Sequence, residues 1–242
     1  MYNLKHRIYT FLSIFKPDLF PIITNQEVQI FLKESTWSGN SFELYKLWFE
    51  TLVNGDNFEY RFQHPFPWIA FDAIFALDKW LKPEMTIFEY GGGTSTLWFS
   101  KRVKRVVSVE YDKKWYKALK KILLPNVDLI YSPSEMVESR NPIYSSRIIP
   151  NRSFEKYVKT IDVYADGFFD LVCIDGRARA GCSIHAKQKV ANAGLILFDN
   201  YDRQHYKGAL DNLVDEGWLM ETYCSNGPYT ARLEHSAIFR KP

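Results

Sequence analysis

An open α/β fold, with a mostly parallel sheet and helices on both faces, is what this sequence predicts, and three observations predict it. Short β-prone runs alternate with helical stretches from residue 86 onward, the pattern of a chain that crosses back repeatedly over one sheet. The runs 171–174 and 195–198 are continuously apolar, as strands buried on both faces are. Thr86–Tyr90 runs into Gly91-Gly92-Gly93 and then Thr94-Ser95-Thr96, which reads as strand, tight turn and helix start, with Thr94 or Ser95 as the N-cap.

Taken in order, the chain begins with helical signals. Val28, Phe31 and Leu32, then Leu44, Leu47 and Trp48, recur at helical spacing and predict two helices broken near Ser38-Gly39-Asn40. The apolar string 8–15, after Lys5 and Arg7, is too short to span a bilayer and lacks a small-residue cleavage site. It leaves weak peripheral membrane contact open, beside the plainer reading of packing on the domain or on a second copy. A further helix is expected over 68–77. The chain is accordingly divided into an N-terminal helical extension, 1–67, which could carry a homodimer contact, and a ligand-binding domain, 68–242.

After the glycine loop, a second strand from Arg105 ends in Glu110, Asp112 caps a helix through Trp115, Leu119 and Ile122, and Val127–Tyr131 makes a third strand. The connection 135–167 is longer than a crossover needs. Its end, 154–163, reads as helical and its middle, 139–152, as an acceptor-binding loop or a plain surface excursion. The fourth strand delivers Asp175 and the fifth delivers Asp199-Asn200. A helix ending near Gly217 and two strands separated by Gly227-Pro228 bring the strand count to seven.

Composition narrows the function. With 242 residues, 46% hydrophobic, 24% charged and a net charge of +3, this is an ordinary globular chain whose charge does not by itself imply a polyanionic partner such as nucleic acid. Lys101 to Arg105 is read as the solvated end of a helix. Cys173, Cys182 and Cys224 give neither a disulfide framework nor a zinc spacing, so a reducing cytoplasm is the default location. The five histidines form no H-x-x-x-H pair and no G-x-S-x-G elbow occurs, which excludes the common zinc and serine hydrolases.

The chemistry gathers at strand ends, where Glu89, Glu110, Asp175 and Asp199 each stand. In open α/β sheets the ligand crevice lies outside the carboxyl ends of the strands. The glycines let a ligand approach backbone amides, but Thr96 replaces the third glycine of a dinucleotide fingerprint. Glu89 would repel a pyrophosphate and suits a ligand carrying an ammonium and a sulfonium. Glu110 falls at about the offset from Gly91, roughly 20 residues, expected of a carboxylate that accepts from both hydroxyls of a ribose.

The stretch from Glu89 to Ser95 resembles motif I of the class I S-adenosylmethionine-dependent methyltransferases. The resemblance covers roughly three quarters of the chain. It implies a Rossmann-like class I methyltransferase fold over 68–242, with S-adenosyl-L-methionine held by Glu89, Gly91, Gly92, Gly93, Thr94, Ser95, Glu110, Tyr111 and Asp175. Asp175 with Asp199-Asn200 also resembles the divalent-metal site of the catechol and caffeoyl-CoA type O-methyltransferases. That implies Mg²⁺ on Asp175, Asp199 and Asn200, lowering the pKa of an acceptor hydroxyl. The lysine those enzymes carry after the fourth-strand Asp is missing from Asp175-Gly176-Arg177-Ala178-Arg179. Arg177 is expected instead to bind an acceptor anion or steady an oxyanion. Asp175, Arg177, Asp199 and, as general base, His205 form the expected catalytic set. The Asn/Asp-Pro-Pro-aromatic motif of base N-methylation is not present, which points to oxygen on a small molecule or saccharide. A nicotinamide-dependent oxidoreductase and a non-catalytic cofactor-binding module remain as alternatives.

Overall fold

The computed structural model of the protein describes residues 41–139 and 141–242. The apolar string at 8–15 and the first expected helix lie outside the described residues, as does most of the extension to which the dimer contact is assigned. The second expected helix is α1 (Ser41–Asn54), followed by α2 (Phe58–Gln63) and α3 (Phe71–Trp80). Then come β1 (Thr86–Tyr90), α4 (Thr94–Ser100), β2 (Arg105–Glu110), α5 (Lys113–Leu119) and β3 (Val127–Tyr131). A short ribbon, β4 (Glu135–Met136) with β5 (Arg152–Ser153), and α6 (Glu155–Val158) precede β6 (Phe169–Ile174). The chain ends with α7 (Arg179–Lys189), β7 (Val190–Asp199), α8 (Lys207–Asp215), β8 (Leu219–Asn226) and β9 (Leu233–Arg240).

Seven strands form one sheet in the order β3-β2-β1-β6-β7-β9-β8. The first five are parallel, whereas β9 runs antiparallel to both β7 and β8. Successive side chains on a strand point to opposite faces, so each central strand feeds two cores. Ile87, Leu171, Cys173, Leu195 and Leu197 pack with Trp48, Phe71, Ile74, Leu77, Trp98 and Phe99 on one face. Phe88, Val172, Ile174, Ile196 and Phe198 pack with Tyr157, Ile161, Cys182, Ala186 and Leu213 on the other. This double burial is why 171–174 of β6 and 195–198 of β7 read as unbroken apolar runs.

Between β3 and β6 the chain returns past β1 to its other side, so β1 and β6 are parallel neighbours whose connections leave in opposite directions. Such a switch point opens a crevice at the carboxyl ends of the two strands. Here the crevice is tied at its base, where Asp175 N donates to Tyr90 O at 3.1 Å and Gly91 N to Val109 O at 2.9 Å.

Local details depart from the sequence reading in three places. Gly93 rather than Thr94 or Ser95 is the N-cap of α4, and the Thr96 hydroxyl accepts from Gly93 N at 2.9 Å. The helix expected over 68–77 starts at Phe71, because Ala70 N and Asp72 N find acceptors in the Ser236 and Ser225 hydroxyls of β9 and β8. The helical turn expected over 154–163 splits into α6 and a 3₁₀ turn, Lys159–Val163.

Candidate active site

The glycine bend forms the floor of a 630 Å³ cavity at the carboxyl edge of the sheet. Gly91 has φ +98°, and a Cβ there would lie 2.9 Å from the Gly176 Cα, so only glycine lets β1 and β6 close together at their ends. Gly93 is different. A Cβ on it would meet nothing nearer than the Ser95 hydroxyl at 3.7 Å, and Gly93 faces the cavity. No neighbour among the described residues requires a glycine at that point, and an absent side chain leaves room for a ligand against the first turn of α4.

Glu89 sits beneath this floor, fully buried and not among the residues that line the cavity. Register places it opposite Ser108 on β2, whose hydroxyl donates to Oε2 at 2.6 Å, and the Thr96 hydroxyl donates to the same oxygen at 2.5 Å. Oε1 has no hydrogen-bond partner among the described residues. Burial raises the Glu89 pKa against the pull of these hydroxyls. The carboxyl therefore holds the α4 turn onto β2 and keeps one oxygen spare.

Glu110 does reach the cavity wall, with Tyr111 beside it. It is 4% exposed, and Oε1 accepts from Asp112 N at 2.5 Å. Burial pushes its pKa up to about 7, with the Asp112 amide opposing. Two hydroxyls donated by a ligand would favour the charged form. Tyr111 is fixed by Arg177, whose Nε and Nη2 donate to the phenol oxygen at 3.1 and 3.0 Å.

On the other half of the rim, Arg179 is the hub. Its side chain is 8% exposed and lies between two carboxylates, with Nη2 2.8 Å from Asp175 Oδ1 and Nη1 2.9 Å from Asp199 Oδ2. Nη1 also donates to the Asp199 carbonyl and, at 3.2 Å, to Asn200 Oδ1, while Nη2 and Nε reach the Asp175 and Gly176 carbonyls. Two left-handed residues set this up: Ala178, φ +49°, turns β6 into α7, and Asn200, φ +53°, turns the chain after β7. Burial works against the Arg179 charge, but the two aspartates outweigh it and hold the guanidinium protonated. Burial and the nearby Asp199 raise the Asp175 pKa, against the pull of Arg179.

This geometry corrects the metal expectation. One oxygen of each residue assigned to Mg²⁺ (Asp175 Oδ1, Asp199 Oδ2 and Asn200 Oδ1) accepts from the Arg179 guanidinium, so a fixed positive charge already occupies the donor set, which does not fit a divalent cation. Among the described residues no other cluster of His, Cys, Asp and Glu offers a metal site.

Comparison with known proteins is informative at the level of structure alone: no family model and no curated protein matches this sequence. A SAM-dependent O-methyltransferase from Thermotoga maritima superposes with TM-score 0.51 at 11% identity, over 79% of this chain and 71% of its own. A methyltransferase-like protein from Silicibacter pomeroyi gives 0.50 at 20% identity, over 74% of this chain and 90% of its own. The chain has the class I methyltransferase fold.

In this methyltransferase fold, a second cavity of 710 Å³ adjoins the first and shares Gly176, Arg177, Arg179 and Arg203 with it. Its far wall comes from residues 142–148 and from His205-Tyr206, so part of the long connection lies against the site. His205 Nδ1 is 3.4 Å from Arg147 Nη1, and since arginine can only donate, Nδ1 is the accepting nitrogen. Burial and the guanidinium groups of Arg147, Arg203 and Arg179 lower the His205 pKa and keep the ring neutral. The cavities bring together every residue of the expected site except Glu89.

Several wall residues escaped the sequence reading. Trp68, Trp115, Tyr229, Arg203 and Glu234 line the first cavity from four separate parts of the chain. Arg61 lies 5.1 Å over Trp68 and 5.2 Å over Tyr229, clamping the start of α3 to the β8–β9 turn. The isolated aromatics carry no motif. The one available signal, Arg four residues after Asp175 at the start of a helix, is visible but does not disclose that Asp199 shares the same guanidinium.

Proposed function

We propose that the protein is an S-adenosylmethionine-dependent methyltransferase acting on an oxygen of a small molecule or saccharide. The observation that carries this is the convergence of the Gly91–Gly93 bend and the buried Glu110 carboxylate on one cavity at the switch point of the sheet. The residues fit the cofactor: the unfilled space at Gly93 would take its amino-acid part, Glu110 its ribose diol, and Trp115 and Tyr111 supply flat apolar surface. S-adenosylmethionine, when bound, supplies an electrophilic methyl group on a sulfonium.

The chain's own contribution is orientation and charge. Arg179 holds Asp175 and Asp199 rigid at the junction of the two cavities, and Arg177 fixes Tyr111 across the cofactor side. Positioning of this kind accounts for much of the barrier lowering in a displacement between two bound partners. His205, kept neutral at the acceptor side, is the group suited to take the hydroxyl proton once Arg147 releases Nδ1.

Calorimetric titration with S-adenosylhomocysteine tests the cofactor, and a radiolabelled methyl screen over sugars, phenols and RNA tests the chemistry. Tight binding with label appearing on an oxygen supports the reading. Binding of NADH in its place would overturn it in favour of an oxidoreductase, and S-adenosylhomocysteine binding with no transfer to any acceptor would leave a cofactor-binding module.

A further inference from the structure

The second cavity has an electrostatic character that the proposed methyltransferase reading does not explain. Arg147, Arg177, Arg179 and Arg203 all reach its wall, and among the described residues no aspartate or glutamate does. Arg179 is satisfied by Asp175 and Asp199, but among the described residues Arg147, Arg177 and Arg203 form no ion pair. Three guanidinium groups gathered with no ion-pair partner repel one another, and the His205 pKa beside them is lowered first by burial and then by Arg147, Arg203 and Arg179. The wall is also firmly seated. A Cβ on Gly181 would lie 2.5 Å from the Ile143 carbonyl, so glycine lets residues 142–148 lie directly on α7, and the Tyr144 hydroxyl is 3.3 Å from His185 Nε2.

We infer that this cavity binds an anionic group of the methyl acceptor, a phosphate or a carboxylate, through Arg147, Arg203 and Arg177. The inference rests on the methyltransferase reading for the word acceptor, but the anion site stands on its own geometry. Planar guanidinium forks match phosphate and carboxylate oxygens in pairs, and the ligand supplies the counter-charge that the protein lacks here. Ile143 and Ile148, on the same wall, give the acceptor body apolar surface.

The test uses the full chain and two probes, inorganic phosphate and glucuronate, titrated calorimetrically with and without saturating S-adenosylhomocysteine. Arg147 lines the second cavity alone and is exposed, so Arg147→Glu and Arg147→Lys change the site without touching the core. One probe or both should bind the native protein in the millimolar range or tighter. Arg147→Glu should weaken that binding about tenfold or more, about 1.4 kcal/mol, with Arg147→Lys keeping part of it. S-adenosylhomocysteine affinity should stay within about twofold in both variants, since the probes and the cofactor sit in different cavities. Phosphate preference indicates a phosphorylated acceptor and glucuronate preference a carboxylated one. The inference is overturned if neither anion binds, or if Arg147→Glu binds them as the native chain does. Failure of S-adenosylhomocysteine alone to bind would overturn the proposed function, while the cofactor-free titrations would still decide the anion site.

Discussion

The two halves of the sheet's carboxyl rim carry similar residues and use them in opposite ways. At the ends of β1 and β2, the carboxyl of Glu110 is left on a cavity wall with backbone amides, not a cation, as its partners. At the ends of β6 and β7, Asp175 and Asp199 are both drawn onto Arg179 and spent inside the protein. A strand-end acid is therefore not by itself a ligand-binding group. What decides its role is whether the following helix brings a cation back onto it.

Removing the cation should give the largest effect. Arg179→Ala leaves two buried carboxylates unpaired and should cost about 3–5 kcal/mol of stability in denaturant unfolding. It should also free the oxygens of Asp175, Asp199 and Asn200, so that Mn²⁺ raises the melting temperature of the variant but not of the native protein. A native protein stabilised by Mn²⁺ as strongly as the variant would erase the contrast between the two halves. Correspondingly, chelation with EDTA should leave methyl transfer by the native protein unchanged.

The glycines sharpen the comparison on the other half. Gly91→Ala forces a side chain into a left-handed backbone against Gly176 and should lose about 1–3 kcal/mol of stability along with cofactor binding. Gly93→Ala meets no such neighbour, so its stability should stay within about 0.5 kcal/mol of native while S-adenosylhomocysteine affinity falls. Equal losses of stability in both variants would show that Gly93 serves the fold and not the ligand.

The smallest effect is a pH dependence. Glu110 has a pKa raised to about 7, and the carboxylate accepts from both hydroxyls of a diol more strongly than the protonated acid does, so S-adenosylhomocysteine affinity should fall as pH drops through about 7. Glu110→Gln should bind about tenfold more weakly and show no such slope. For the unliganded protein the sign is reversed: burial favours the protonated acid, so the stability it adds is present at low pH and is lost as pH rises through about 7.

Much of this was legible in the sequence because the segments of β6 and β7 buried on both faces, 171–174 and 195–198, must be apolar, and the polar residues that follow them then stand out. Gly91 announced the bend for a similar reason, since its φ excludes other residues. The role of Asp199 was not legible. Its partner is Arg179, 20 residues earlier in the chain, and the contact exists only because β6 and β7 are neighbours in the sheet. Glu89 is legible as a strand-end acid, but side-chain alternation sends it under α4 with Ser108 and Thr96 and off the cavity wall, which the sequence does not disclose. The cavity's aromatic wall was invisible for want of any motif that ties Trp68 to Tyr229.

The indole of Trp48 in α1 donates to the Thr230 carbonyl at 2.8 Å, and α1 buries Trp48, Phe49 and Leu52 in the same core as the central strands. The turn that carries Thr230 also carries Tyr229, whose hydroxyl donates to the His64 carbonyl at 2.7 Å. Truncating the protein ahead of Trp68 would thus do more than remove a covering layer. It would unfasten the hairpin that shapes the rim farthest from the glycine bend, and a loss of ligand affinity after such trimming would be a mechanical consequence of that missing brace.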